Sequence, residues 1–161
     1  MGNAVFYHLT RSPLETTLPM LLGKSLAAGW HVVVRGTNAA RLDWLDQKLW
    51  AGPEEGFLPH GMAGGAHDAD QPILLTTGTD TPNGAQCLMT VDGADISAEE
   101  CAPLARICVL FDGNDPSALQ RARTQWKILT SAGVAAEYWS EESGRWEKKA
   151  SSAAQSDSTA Q

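Results

Sequence analysis

Positive charge is scarce in this chain of 161 residues: 12 Lys and Arg stand against 19 Asp and Glu, for a formal charge of -7. Phosphate neutralisation needs clustered cations, so the balance argues against nucleic-acid binding over the whole domain. Cysteine is scarcer still. Cys87, Cys101 and Cys108 are odd in number, lack Cys-x-x-Cys spacing, and in two cases fall in expected strands. They read as small buried hydrophobes and not as disulfides or metal ligands. No run of eighteen apolar residues occurs, and the first residues lack a basic segment followed by an apolar stretch and cleavage site. Neither membrane insertion nor export is therefore expected, and the chain reads as cytoplasmic.

Catalytic motifs are missing too. Gly-x-Ser-x-Gly and His-Glu-x-x-His do not occur. Gly23-Lys24-Ser25 imitates the end of a phosphate-binding loop, but Leu18 holds the place of the required glycine and the triplet falls inside an expected helix. The turn after the first strand reads Leu9-Thr10-Arg11-Ser12-Pro13, without the glycines that let a backbone approach a pyrophosphate. His8 and His31 sit at strand ends and His67 in loop solvent. No cofactor, metal or catalytic residue is expected. Asp92, Asp95 and Asp112 lie at strand ends, where turn formation and helix capping account for them better than catalysis.

What is present is a patterned core. With 43% hydrophobic residues, the chain is long enough for one compact domain. Ala4 to Leu9 reads as a buried opening strand, and Ser12-Pro13-Leu14-Glu15 as a capping box that starts a helix closed by Gly29. Within that helix Leu14, Leu18, Leu21, Leu22 and Ser25 share one face, interrupted by Pro19. Val32, Val33 and Val34 form a second strand, apolar enough to be covered on both faces. Leu42, Leu45 and Leu49 mark the next helix, with Trp44 on its opposite side. Gly61 to Gln71 reads as a mobile loop. Ile73 to Thr77 and Cys87 to Val91 are strands separated by the turn Thr81-Pro82-Asn83-Gly84, joined either as a hairpin or through a degenerate helix. Ser97-Ala98-Glu99-Glu100 caps a short helix, Ala105 to Phe111 is a core strand, and Asp115-Pro116 opens the last long helix, ended by Gly133. Ala135 to Lys149 adds an edge strand or hairpin carrying Tyr138, Trp139 and Trp146. Residues 1–149 then form the domain and residues 150–161 a polar, disordered tail. Alternating strands and helices make an α/β sandwich with a largely parallel sheet the natural architecture.

Charge is unevenly spread. Between Lys48 and Arg106 lie nine acidic residues and no Lys or Arg, whereas Pro116 to Ala136 holds Arg121, Arg123 and Lys127 and no acid. On the last helix Leu119, Ala122, Trp126 and Leu129 form one stripe, bordered by Arg123 and Lys127 four residues apart. Such an edge suits a peptide ending in an apolar side chain and a free carboxylate. Alternatively Trp126 is core and the two cations are a solvated border.

The most unusual stretch is residues 42–60, where a helix runs into an apolar, proline-stiffened segment. Leu49-Trp50, Pro53-Glu54 and Phe57-Leu58-Pro59-His60, after an N-terminal Val5-Phe6-Tyr7 strand, resemble the chi subunit of bacterial DNA polymerase III. The likeness runs from Ala4 to about Trp146. It implies a Rossmann-like, single-domain three-layer α/β sandwich and an adaptor of the clamp-loader assembly without catalysis, which contacts DNA only indirectly. It further implies two partners. Arg123, Trp126 and Lys127 match the family's site for the acidic C-terminal tail of single-stranded DNA-binding protein, with Leu119 where some relatives carry a basic residue. Trp50, Pro53, Phe57, Pro59 and His60 match the surface for the psi subunit or other clamp-loader and polymerase subunits. Trp50 and Phe57 either present that surface or fold back over the sheet edge, and His60 either faces a partner or bonds a nearby carbonyl. The competing class is a small α/β nucleotide-binding protein or hydrolase, with its site at the strand C-termini near Asp92, Gly93, Asp112 and Gly113.

Overall fold

The computed structural model describes residues 3–50, 59–79 and 81–152. In chain order these form β1 (Asn3–Leu9), α1 (Leu14–Ala27), β2 (Val32–Arg35), α2 (Ala39–Trp50), β3 (His60–Met62), β4 (Ile73–Thr76), β5 (Cys87–Thr90), α3 (Ala98–Cys101), β6 (Arg106–Asp112), α4 (Pro116–Ser131), β7 (Ala136–Ser140) and β8 (Glu147–Ser151). The strands make one sheet in the order β3-β4-β2-β5-β6-β1-β7-β8. Every pairing is parallel except β7 with β8, which closes the edge as an antiparallel hairpin.

Strand residues alternate between two cores, as a period of two requires. Leu9, Val32, Val34, Cys108 and Leu110 pack with the leucines of α1 and α2. Phe6, Val33, Ile107, Val109 and Phe111 pack with Ala122 and Leu129 of α4 on the other face. The result is three layers, the α/β sandwich that the strand and helix alternation predicts. Phe6, Leu22, Leu45, Ile107 and Leu129 are fully enclosed. Truncating any of them to Ala removes apolar contact and leaves a cavity, at about 2–5 kcal/mol.

Local signals explain the ends of α4. The Asp115 carboxylate accepts from Ser117 N–H at 2.9 Å, and Pro116 occupies the first helical position. At the far end Gly133 takes φ 91°, so that its N–H reaches Thr130 O and Val134 N–H reaches Leu129 O. The Ser97–Glu100 capping box forms with both of its bonds. The Ser12–Glu15 box does not: Pro13 stands at the helix boundary without a side-chain cap, because the Ser12 hydroxyl donates to Glu141 Oε1 at 2.8 Å. A long-range carboxylate wins over the local one.

One other expectation changes, and one open alternative closes. Gly61 and Met62, expected in a loop, belong to edge strand β3, and Asp68–Asp70 forms a turn of 3-10 helix whose Asp68 carboxylate accepts from Gly64 and Gly65 N–H. A three-residue strand is too short for periodicity to reveal. β4 and β5 form no hairpin; both flank β2 in parallel. At the C-terminus β8 runs to Ser151, with Ala150 opposite Tyr138, and Ser152 Oγ accepts from Ala136 N–H. Among the described residues no helix is long and apolar enough to cross a membrane.

Candidate functional site

Helix α4 buries Ala122, Gln125 and Leu129 against the sheet. Trp126, one step round from that face, is half-buried. Its ring meets Phe6 edge-on at 5.4 Å and Tyr138 of β7 at 6.2 Å. Because α4 crosses β1 to reach β7, the outer side of these aromatics is left open as a groove of about 900 Å³ between α4 and the β7–β8 hairpin. Leu119, Arg123, Trp126 and Lys127 line one wall; Tyr138, Ser140, Glu142 and Lys149 line the other. All three residues that the last helix singled out therefore face one hollow. Trp126 belongs partly to both sequence readings, with one side in the core and another on the groove.

The groove is apolar below and cationic at the rim. Arg123 and Lys127 are exposed. Lys149 adds a third cation from across the hollow, held by Glu147 at 3.1 Å. Burial raises the Tyr138 phenol above its ordinary value, with Glu142 pushing the same way and Arg123 opposing. The hydroxyl thus stays protonated at neutral pH and acts as donor and acceptor. An aromatic floor beside guanidinium and ammonium groups can pack a ring and pair a carboxylate together. Sequence reasoning missed His8, Glu142 and Lys149, which reach the groove only through the pairing of β7 with β1 and β8. The alternation along β1, which puts His8 on the same face as Phe6, was the one available signal.

A second hollow of about 610 Å³ lies at the strand C-termini, lined by Thr10, Ser12, Arg41, Asp92, Asp112 and Arg121 among others. This is where the helices on the two sheet faces diverge, between the ends of β1 and β6, the usual ligand crevice of open α/β sheets. Here the turn after β1 is already occupied. Glu141 accepts from Thr10 N–H at 3.2 Å, Ser12 N–H at 3.0 Å and the Ser12 hydroxyl at 2.8 Å. Burial works against ionisation of Glu141, but the bonds from Ser12, Thr10 and Arg11 outweigh it and hold the carboxyl below its usual value. The nearby aspartates do structural work. Asp92, at φ 52°, holds Arg41 at 3.2 Å; Asp112 accepts from Asn114 N–H at 2.9 Å; the Asp95 carbonyl accepts from Arg35.

The end of α2 carries the other expected surface. Trp50 is 54% exposed, and its ring lies over His60 at 4.2 Å. His60 itself is buried in β3, with Nε2 at 3.2 Å from both the Asp46 carbonyl and Asp46 Oδ1. It bonds a nearby carbonyl, as one of its two sequence readings has it. Pro59 is half-buried. Pro53 and Phe57 lie outside the described residues.

A sequence model of one family, described as DNA polymerase III chi subunit, HolC, matches residues 1–137. The chain belongs to the DNA polymerase III chi subunit family. Over 91 residues it is 26% identical to the probable DNA polymerase III subunit chi of Rickettsia prowazekii (strain Madrid E). That stretch covers 56% of this chain and 55% of the relative, so the chain spans about half the length of the curated relative it matches. The family is one of replisome components. The family match contains Arg123, Trp126 and Lys127, whereas Tyr138, Glu142 and Lys149 lie beyond its last residue.

Proposed function

We propose that this chi-family chain is a replisome adaptor without catalysis that grips the acidic C-terminal tail of single-stranded DNA-binding protein in the groove between α4 and the β7–β8 hairpin. It thereby joins the polymerase III clamp-loader assembly to protein-coated single-stranded DNA in the cytoplasm and touches DNA only indirectly. One observation carries the reading: a half-exposed indole flanked by two cations on a single accessible groove. A tail ending in Pro-Phe would set its phenyl ring on Trp126 and Tyr138 and its terminal carboxylate on Arg123 or Lys127. Lys149 would meet the acidic residues upstream. Trp50, Pro53, Phe57, Pro59 and His60 would form the separate surface for psi or another clamp-loader subunit; an exposed indole at a helix end suits such a contact.

Calorimetry with a synthetic acidic peptide ending in Pro-Phe tests this directly. A dissociation constant in the micromolar range, about -8 kcal/mol, is expected. Binding should weaken with salt and be lost when the terminal carboxylate is amidated. No saturable binding by the wild type, or equal binding of the amidated peptide, would refute it.

A further inference from the structure

The floor of the groove holds a hydrogen bond between His8 and Tyr138 to which the adaptor reading gives no role. His8, on β1, is 7% exposed, and its Nδ1 lies 2.8 Å from the Tyr138 hydroxyl. Its Nε2 is buried with no hydrogen-bond partner; the nearest carboxylate is that of Glu142, at 3.7 Å. The ring cannot easily turn. It stacks on Phe111 at 5.3 Å, and Gly113 is so close that any side chain there would collide with the imidazole edge. Both His8 and Tyr138 line the groove.

We propose that His8 sets the direction of the Tyr138 hydroxyl, and so decides whether the groove floor offers a peptide carboxylate a hydrogen-bond donor or only an acceptor. This rests on the groove being a peptide site. Neutral imidazole has one N–H and one bare nitrogen. The Glu142 carboxylate beside Nε2 favours the proton there, which leaves Nδ1 to accept from Tyr138 O–H and turns the phenolic lone pairs toward the groove. A carboxylate arriving there meets oxygen against oxygen. When the imidazole takes a second proton, Nδ1–H donates to Tyr138 Oη and the phenolic hydrogen must point elsewhere, into the groove. Tyr138 then donates to the carboxylate. Tyr138 is the group that touches the ligand; His8 is a positioning residue.

The charged groups around His8 pull in opposite directions. Glu142 from the hairpin stabilises the imidazolium, and Asp112 sits at the end of the neighbouring strand β6. Arg123 and Lys127 from α4 and Lys149 from β8 line the same groove and oppose it. Acidification is what supplies that second proton, so the groove should tighten on its peptide as pH falls from 8 to 6. Aspartate, glutamate and the terminal carboxylate of the peptide stay ionised throughout that window.

The test is calorimetric titration of an N-acetylated acidic peptide ending in Pro-Phe at pH 6, 7 and 8 and constant ionic strength. Wild type, Tyr138→Phe and His8→Leu are compared. Wild type should bind about fivefold tighter at pH 6 than at pH 8, the worth of one ordinary hydrogen bond, since water in the open groove screens the carboxylate. Tyr138→Phe and His8→Leu should each bind with no dependence on pH. A flat wild-type profile overturns the proposal, as does a full wild-type profile in Tyr138→Phe, since the imidazolium would then act by charge alone. Absence of binding at every pH overturns the adaptor reading and this one with it; binding without pH dependence overturns this one alone. Independently of any peptide, nitrogen NMR of the free protein at pH 8 should find His8 protonated on Nε2 and bare on Nδ1. The opposite tautomer refutes the mechanism.

Discussion

Replacing Glu141 by Gln tests how the hairpin that walls the groove is held to the rest of the fold. Glu141 is 4% exposed and accepts three hydrogen bonds from the turn after β1, two from N–H groups and one from the Ser12 hydroxyl. A glutamine can keep its oxygen on the two N–H groups and donate its NH2 to the Ser12 hydroxyl, which also accepts. All three bonds then fall from charge-assisted to neutral strength. At about 1.5–3 kcal/mol for a bond to a charged group against about 1 for a neutral one, the expected loss is about 2–3 kcal/mol at pH 7. For a domain of this size that is about 5–10 °C in Tm. The pH dependence has a fixed sign. The folded-state value of Glu141 is depressed, so its contribution is fully present above the ordinary glutamate value of about 4.3 and is lost as pH falls through the folded value. Wild type and Glu141→Gln should therefore differ most at pH 7 and converge below about pH 4. Thermal melts followed by circular dichroism across pH 7 to 3.5 measure both. Equal melting at pH 7, or a gap unchanged down to pH 3.5, would refute the reasoning.

Arg123→Ala and Lys127→Ala should each weaken binding of the acidic peptide by about three- to tenfold at low salt, with a smaller loss at high salt, while the melting temperature barely moves because both side chains are exposed. Leu119→Lys places a further cation one turn before Arg123 on the same wall and should tighten peptide binding a few-fold, again only at low to moderate salt. Arg35→Met should cost about 3 kcal/mol by denaturant unfolding, since it strands Glu100 and removes the donor from the carbonyls of Gly78, Thr79 and Asp95. The groove lies on the other side of β1 from Arg35, so folded Arg35→Met should still bind the peptide.

Much of this fold is legible from local chemistry. Val32 to Val34, Ile107 to Phe111 and the Asp115-Pro116 start of α4 announce themselves by branching, continuity and capping, and the structure follows them. The failures share a cause. Ser12 has a local partner in Glu15 at capping spacing, yet it pairs with Glu141, which is 129 residues away and invisible to any window. Likewise β3 exists because β4 offers it a parallel edge, and not because three residues beginning at His60 favour a strand. The α4 half of the groove could be read from a helical wheel, whereas the opposite wall depends on which strand lies next to β1. Nothing in the spacing of Tyr138 or Lys149 announces that.

Glu141 and Glu142 follow one another in the chain and act on opposite sides of β1. The first fills the turn where open α/β sheets receive phosphate, and the second stands 3.7 Å from His8 in the groove. Between them the backbone is pinned twice more: Arg11 donates to Glu142 O at 3.2 Å, and Glu142 N–H reaches Ser140 Oγ at 3.2 Å. A rigid groove wall therefore requires the crevice turn to be occupied by the protein's own carboxylate. A nucleotide phosphate in that turn would have to displace Glu141, and with it the strut that sets Glu142, Tyr138 and Lys149 against α4. The two hollows are thus linked through one dipeptide: the arrangement that sets the groove wall on the α4 side disfavours an anion on the α1 side. That linkage supports the proposed peptide adaptor over a nucleotide enzyme for this chi-family chain.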